Sequence, residues 1–174
     1  MISRHPPSDC MLYFAYGSNM SHRRLQQRVP SACCVCVADL AEHALRFHKR
    51  GRDDSGKCDA FFTGRPHDRV IGVVFEIAIE EKAGLDRVEG LGKGYEQKSV
   101  SVISATHGPL QAFTYYATAI DRSLAPYHWY KEHVLRGCRQ NRLPADYLQE
   151  ILTIPSVEDP DSARSQMESA LYRR

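Results

Sequence analysis

The sequence predicts an α+β fold, in which a small mixed, partly closed β-barrel is flanked by helices. β-like segments follow one another in runs and do not alternate with helices, as repeated βαβ units would require. One helix interrupts the runs of strands, and the other long helices come after the last strand. So many strands in a chain of 174 residues favour a barrel over an open, doubly wound sheet.

The first half of the chain supplies most of the strands. The apolar run at residues 11–16 reads as a central strand, and residues 21–29 read as a short helix that Pro30 stops. β-branched and aromatic residues predict four more strands, at residues 32–40, 44–48, 60–63 and 70–79. The polar, glycine-containing segment 49–58 is predicted to be a loop.

The second half begins with a helix and ends with helices. Residues 80–88 have a helical composition, and Gly90 stands where a helix-ending glycine belongs. Strands at residues 99–103 and 111–116 form a predicted hairpin. Two later helices complete the pattern; each opens at a proline, and they cover about residues 126–140 and 144–152.

Length and composition predict one domain with two appendages. Residues 1–10 read as a disordered leader, and they lack the apolar stretch of a secretory signal. Residues 11–154 form the predicted domain. Residues 155–174 form a polar tail with one amphipathic stretch, which is either a docked C-terminal helix or frayed.

Charge and hydropathy argue against two classes of partner. A net charge of +2 with no aromatic and basic stripe gives no case for nucleic acid. No apolar segment approaches the length that spans a membrane. We therefore expect a small-molecule partner and no membrane, and the oligomeric state stays open, with a homodimer as one alternative.

The six cysteines favour a reduced, cytoplasmic protein. Cys33, Cys34 and Cys36 lie in an apolar run at residues 32–37, where cysteine acts as a small hydrophobic residue. Cys34, Cys36, Cys58 and His48 offer a zinc site as the alternative, but their spacing matches no standard pattern. We accordingly predict no metal and no cofactor.

The segment at residues 11–20 is the most informative motif. An apolar, aromatic run stops at Gly17, and the cap-forming residues Ser18 and Asn19 follow. Such a strand-to-helix turn points several backbone N–H groups at one spot, which suits a carboxylate or a developing oxyanion. The alternative is an ordinary strand–turn–helix junction without a ligand.

Glu89 is the candidate general acid/base. It falls at the C-terminal end of a predicted helix, where the helix dipole disfavours an ionised carboxylate. A stability argument would place Lys or Arg there, so a carboxylate beside a glycine-rich loop points to catalysis. The alternative is a surface glutamate solvated beside Asp86 and Arg87.

Three motifs resemble the γ-glutamylcyclotransferase superfamily. Residues 13–19 read YFAYGSN, which is similar to the signature loop of that superfamily. Residues 85–90 read LDRVEG and resemble its Leu-Asp-x-x-Glu-Gly segment, and residues 143–147 read LPADY and resemble a Leu-Pro-x-x-Tyr helix start. The matches extend from about residue 12 to about residue 152.

The resemblance implies a site as well as a fold. It makes Glu89 the catalytic acid/base, and it implies a set of substrate-binding residues, which are Tyr16, Gly17, Ser18, Asn19, Tyr95 and Tyr147. Taken by themselves, the three tyrosines fit core packing and hydroxyl donation equally well.

The resemblance also implies a reaction, the closure of a γ-glutamyl amide to 5-oxoproline with release of an amino acid or amine. The spacing from Glu89 to Tyr95 is closer to that of γ-glutamylamine cyclotransferases, whereas Asn19 and Met20 favour the first group. A second alternative is a catalytically silent module that binds a small molecule, and the presence of Glu89 argues against it.

Overall fold

The computed structural model describes residues 9–173, which contain seven strands and five α-helices. The strands are β1 (Cys10–Ala15), β2 (Cys33–Ala41), β3 (His43–Arg50), β4 (Gly56–Phe62), β5 (Arg69–Ala78), β6 (Tyr95–Ser104) and β7 (Gly108–Ala117). The helices are α1 (His22–Gln26), α2 (Lys82–Glu89), α3 (His128–Gln140), α4 (Ala145–Thr153) and α5 (Ser162–Ala170). This order confirms the α+β fold class.

Five strands form a closed barrel in the order β1-β5-β2-β6-β7. Most neighbours are antiparallel, and β1 meets β7 in a parallel pairing that places Tyr13 opposite Phe113. The mixed barrel is thereby confirmed, and its closure is complete where the sequence predicted partial closure. A single parallel contact between the first and last strands closes the ring, and strand composition carries no sign of it.

Strands β3 and β4 form a separate two-stranded sheet. The predicted loop at residues 49–58 is wrong at both ends, because β3 continues through Arg50 and β4 starts at Gly56, which pairs with it. These polar residues are strand residues because cross-strand pairing, rather than apolar content, sets the ends of this hairpin. The connection shrinks to residues 51–55.

The helix before Gly90 follows its prediction. A 3₁₀ turn (Ile79–Glu81) leads into α2, and Gly90 ends the helix with φ 77° and ψ 45°, in the left-handed region that favours glycine. The first helix, α1, is shorter than predicted, and the Ser21 side chain accepts a hydrogen bond from its Arg24 N–H. Helix α3 starts at His128, two residues after the predicted Pro126.

The core fills the barrel and continues beneath α3. Phe14, Val74 and Val102 are fully buried. A Cβ on Gly137 of α3 would lie 2.5 Å from Met20 Cβ, so glycine lets this helix approach the segment after β1 closely. That segment carries the second half of the YFAYGSN motif, from Tyr16 to Asn19, and α3 packs against the segment directly after it.

The predicted appendages have different outcomes. Residues 1–8 of the leader lie outside the described residues, and Cys10 already belongs to β1. Helix α5 lies in the predicted tail, and its Glu168 carboxylate is 2.6 Å from Arg24 and 2.8 Å from His133. No helix within residues 9–173 has the length and apolar character to cross a membrane.

Candidate active site

A cavity with an empty volume of about 300 Å³ opens where β1 leaves the barrel. The turn after β1 forms one wall, the C-terminal end of α2 forms another, and aromatic rings form the rest. The lining residues are Tyr13, Tyr16, Gly17, Ser18, Asn19, Cys58, Glu89, Tyr95, Tyr115 and Tyr130. The structure thus brings together Glu89 and five of the six residues predicted to bind substrate.

Gly17 is required here by a close approach rather than by a left-handed backbone. Its φ is −115°, which lies outside the left-handed region. A Cβ at this position would lie 2.9 Å from Cys58 Cβ and 3.5 Å from the Tyr130 hydroxyl oxygen. Any larger residue would push the turn away from β4 and α3.

The turn offers backbone donors. Ser18–Met20 form a single 3₁₀ turn that no side chain caps. Within residues 9–173, no group accepts a hydrogen bond from the N–H of Gly17, Ser18 or Asn19. These N–H groups are therefore available to an anion in the cavity.

Asn19 and Arg28 hold the Glu89 carboxylate. The Asn19 side-chain amide donates to Glu89 Oε1 at 2.8 Å, and the Arg28 guanidinium donates to the same oxygen at 3.0 Å. Arg28 also donates to Asn19 Oδ1 at 2.8 Å, which closes a triangle. No described residue hydrogen-bonds the second carboxylate oxygen, Oε2. One oxygen is thus anchored and the other is left for a ligand.

Two of the predicted tyrosines line the cavity with their rings while their hydroxyls hold the fold. Tyr16 donates to the Tyr115 carbonyl at 2.6 Å, and Tyr95 donates to the Cys58 carbonyl. Burial raises the pKa of each well above the ordinary value, so both remain protonated. Their rings shape the cavity, and their hydroxyl protons already form hydrogen bonds to backbone carbonyls.

Several further groups at this site were not among the predicted site residues. Tyr13 accepts a hydrogen bond from Asn19 at 3.0 Å, and Tyr130 accepts one from the Cys58 N–H at 3.0 Å. Burial raises the pKa of the Cys58 thiol, which keeps it protonated and a poor nucleophile. Tyr13 was visible within the motif, and Cys58 was noted only as a candidate zinc ligand, but nothing in the sequence pattern places Arg28, Cys58 or Tyr130 beside Glu89.

The structure does not bring Tyr147 into this cavity. Its helix, α4, packs on α3, and Tyr147 lines a different cleft together with Arg69 and Ile151. The resemblance to the family motif correctly places Tyr147 near the start of a helix. It does not determine which cavity the side chain faces. We therefore leave Tyr147 out of the proposed site.

The alternative zinc site is not assembled. His48 is 2.8 Å from the Asp59 carboxylate, Cys34 is exposed, and Cys58 packs against Gly17. Among residues 9–173 no three His, Cys, Asp or Glu side chains lie close enough to share a metal ion.

Known proteins resemble this chain in sequence and in fold. The AIG2-like family model matches residues 69–151. A human protein named gamma-glutamylcyclotransferase is 32% identical over 97% of this chain and 91% of its own length. A mouse protein of the same name is 29% identical over 95% of this chain and 89% of its own.

A solved structure has the same fold. It is named gamma-glutamyl cyclotransferase, superposes with a TM-score of 0.85 at 27% identity, and the match covers 95% of this chain and all of that one.

Proposed function

Because the chain belongs to the γ-glutamylcyclotransferase family, we propose that it cyclises a γ-glutamyl amide to 5-oxoproline and releases an amino acid or an amine. It is then a lyase whose substrate is a small molecule. The site residues are Glu89 as acid/base and the turn at Gly17, Ser18 and Asn19 as the anion cradle.

One observation carries the proposal: Glu89 shares a cavity with unpaired backbone donors while its Oε2 has no partner among the described residues. A proton-transfer group must be fixed in place and must also reach the substrate. The bonds from Asn19 and Arg28 to Oε1 fix the carboxylate, and Oε2 faces no competing donor. The arrangement therefore suits repeated proton transfer.

Glu89 serves two proton transfers, one at the attacking nitrogen and one at the leaving nitrogen. It takes a proton from the substrate α-ammonium, and the free amine attacks the γ-carbonyl carbon. The five-membered lactam forms as the C–N bond to the leaving group breaks: the ring nitrogen loses a second proton to water, and Glu89 returns its proton to the leaving nitrogen. The released amine takes up a proton from solvent, so no proton is gained or lost overall. One carboxylate thus acts first as base and then as acid.

The protein also has to fold the substrate chain and stabilise charge. Holding the amine beside the carbonyl lowers the activation barrier by on the order of 7–11 kcal/mol. The N–H groups of Gly17, Ser18 and Asn19 bind either the tetrahedral oxygen or the substrate α-carboxylate.

We propose that the reaction needs neither metal nor cofactor, because the substrate carries its own nucleophile. We further propose a cytoplasmic location. All six cysteines are free thiols, which suits a reducing compartment.

The direct test is a substrate panel. The purified protein is incubated with γ-glutamyl dipeptides and γ-glutamylamines, and 5-oxoproline is measured. Release from the dipeptides supports the proposal, and release from the amines alone assigns the chain to the γ-glutamylamine class. The proposal is overturned if no member of the panel yields 5-oxoproline.

Glu89→Gln tests the catalytic residue. We expect kcat to fall by roughly 10²–10⁴-fold, because the amide can neither accept the ammonium proton nor return it. The substrate KM should change little, since the amide keeps the shape of the side chain. Glu80→Gln is the matched control, because Glu80 is an exposed glutamate just before the same helix and lies outside the cavity.

Thermal unfolding of the same variant separates catalysis from structure. The helix dipole alone predicts that removing the charge costs no stability. The Arg28 guanidinium reverses that sign, because it loses its carboxylate partner. We expect a small drop in Tm beside a large loss of rate, whereas a purely structural Glu89 would show the drop in Tm with near-normal turnover.

A further inference from the structure

A second, larger pocket adjoins the cavity on the outer side of Glu89. It has an empty volume of about 930 Å³, and it shares Ser18, Glu89, Tyr95 and Tyr130 with the cavity. Since the proposed reaction breaks a bond beside Glu89, a γ-glutamyl group held in the cavity directs its leaving group into this outer pocket.

The outer pocket is strongly cationic. It is lined by six basic side chains and three carboxylates; the basic ones are Arg24, Arg28, Lys49, Arg52, Lys57 and Arg164. Each lining carboxylate is already paired, Glu168 with Arg24, Glu89 with Arg28 and Asp53 with Lys57. Arg164 pairs with Asp159, which lies outside the lining.

Lys49 and Arg52 are left without a carboxylate partner among residues 9–173. Lys49 is only 5% exposed, and its Nζ, which has no hydrogen-bond partner in the described chain, lies 4.6 Å from the centre of the Tyr95 ring. Arg52 is exposed at the mouth of the pocket. Both reach the loop that follows Glu89, since Cβ atoms built on Gly94 and Gly90 would lie 3.3 Å from Lys49 Nζ and 3.6 Å from Arg52 Nη2.

Two cations close to each other are electrostatically unfavourable. Burial lowers the pKa of Lys49, and the neighbouring Arg52 adds to the lowering, while Glu89 and Asp53 act against it. The Lys49 side chain is mostly buried, but its ammonium lines the outer pocket, and no described residue accepts a hydrogen bond from it. An anion that enters the outer pocket can therefore accept a charge-assisted hydrogen bond from Lys49.

We propose that Lys49 and Arg52 bind a leaving group that carries two carboxylates, so that the preferred substrates are γ-glutamyl derivatives of acidic amino acids. Lys49 lies deep beside Tyr95 and contacts the α-carboxylate, whereas Arg52 at the mouth contacts the side-chain carboxylate. This inference rests on the proposed cyclisation and adds the chemical class of its leaving group.

Two matched substrate pairs measure the two contacts. γ-Glutamyl-alanine and γ-glutamyl-ethylamine differ only in the α-carboxylate, and γ-glutamyl-aspartate and γ-glutamyl-asparagine differ only in the side-chain charge. The release of 5-oxoproline gives kcat/KM for all four. We expect the charged member of each pair to be preferred by about tenfold or more, as for a hydrogen bond to a charged group.

Variants then assign each preference to a residue. Lys49→Met should reduce the alanine/ethylamine ratio about tenfold, and Arg52→Gln should do the same to the aspartate/asparagine ratio. Lys93→Met is the matched control. Lys93 lies in the loop that follows Glu89, but it is exposed and does not line the outer pocket. It should leave both ratios unchanged.

The outcomes are distinct. If Lys49 only tunes Glu89, Lys49→Met changes all four rates by one factor and both ratios survive, which overturns its assignment to the leaving group. Ratios near one in the wild-type enzyme overturn the inference while the proposed function stands. No 5-oxoproline from any of the four substrates overturns the proposed function, and the inference with it. Since Arg52 is exposed, its variant tests the outer contact even if Lys49→Met does not fold.

Discussion

Asn19 uses both ends of its side-chain amide at the candidate site. Its nitrogen donates to Tyr13 and to Glu89, and its oxygen accepts from Arg28. Asn19 is 4% exposed, and its bond to Tyr13 is buried, whereas its bonds to Glu89 and Arg28 are partly buried. We therefore propose Asn19 as a positioning residue, because it holds Oε1 of Glu89 while Oε2 has no hydrogen-bond partner among the described residues.

Substitutions at Gly17 test how closely the turn after β1 must approach β4. A methyl group at position 17 would overlap Cys58 Cβ at 2.9 Å, so Gly17→Ala should lower both stability and kcat/KM. Cys58→Gly removes the opposing atom, although it weakens β4 by itself. Combined, the two changes should show a favourable coupling of about 1 kcal/mol in a double-mutant cycle of urea unfolding.

Additive effects of these two substitutions would contradict the close approach to Cys58 as the reason for glycine at position 17. They would mean that the cost at position 17 comes from the backbone conformation, which Cys58→Gly cannot relieve. Activity should follow stability in the double variant, since the turn returns toward its place in the cavity wall.

Helix α2 delivers Glu89 at its last residue, and the chain must reverse at once. Gly90 achieves this with φ 77°, and its N–H donates to the Asp86 carbonyl at 2.9 Å. The carboxylate therefore projects from a helix end that a hydrogen-bonded cap holds in place, next to the loop that borders the outer pocket.

Two glycines of this segment should respond in opposite ways to alanine. Gly90→Ala should destabilise the protein by about 1 kcal/mol, because an L-residue is strained in the left-handed region. Gly84→Ala should stabilise it by roughly 0.5–1 kcal/mol, since Gly84 lies in the helix with no atom closer than 3.8 Å to an added Cβ. Urea unfolding of both variants measures the pair, and equal shifts of the same sign would contradict the assigned cap.

The C-terminal segment connects distant helices of the molecule through ion pairs. Helix α5 brings Glu168 to Arg24 of α1 and to His133 of α3. Nearby, the Asp159 carboxylate accepts from the Trp129 indole at 2.8 Å and pairs with Arg164. The segment thus closes one side of the outer pocket and links it to the core of the protein.

Acid should loosen this attachment in a defined pH window. Burial raises the pKa of Glu168, but the hydrogen bond with His133 and the Arg24 guanidinium outweigh it and lower the pKa to about 2. The unfolded carboxyl titrates near the ordinary value of 4.5. A depressed pKa contributes stability that is fully present above 4.5 and is lost as the pH falls toward 2.

The measurement compares wild type with Glu168→Gln. We expect the wild type to be the more stable at pH 7 and the gap in unfolding free energy to close below about pH 4.5. Glu158→Gln is the matched control, because Glu158 is exposed on the same segment and should give a small gap at every pH. A gap for Glu168→Gln that is constant from pH 7 to pH 3 would contradict the ionic attachment of α5.

Some of the fold and of the candidate site followed from the sequence. The runs of strands, the helix that ends at Gly90 and the turn after Tyr16 depend on residues that are adjacent in the chain. A local sequence pattern could therefore reveal them. The motifs at residues 13–19 and 85–90 are also local, and the family resemblance that they carry implied the central part of the candidate site.

Only the tertiary structure decided what completes it. Asn19 and Glu89 are 70 residues apart, and Tyr16 and Tyr115 are 99 apart, so no local pattern records that they meet. The pairing of Arg28 with Glu89, the unpaired Lys49 and the exclusion of Tyr147 depend on how barrel closure and helix packing orient distant side chains. Backbone periodicity is set by neighbours in sequence, whereas the partner of a charged group is set by neighbours in space.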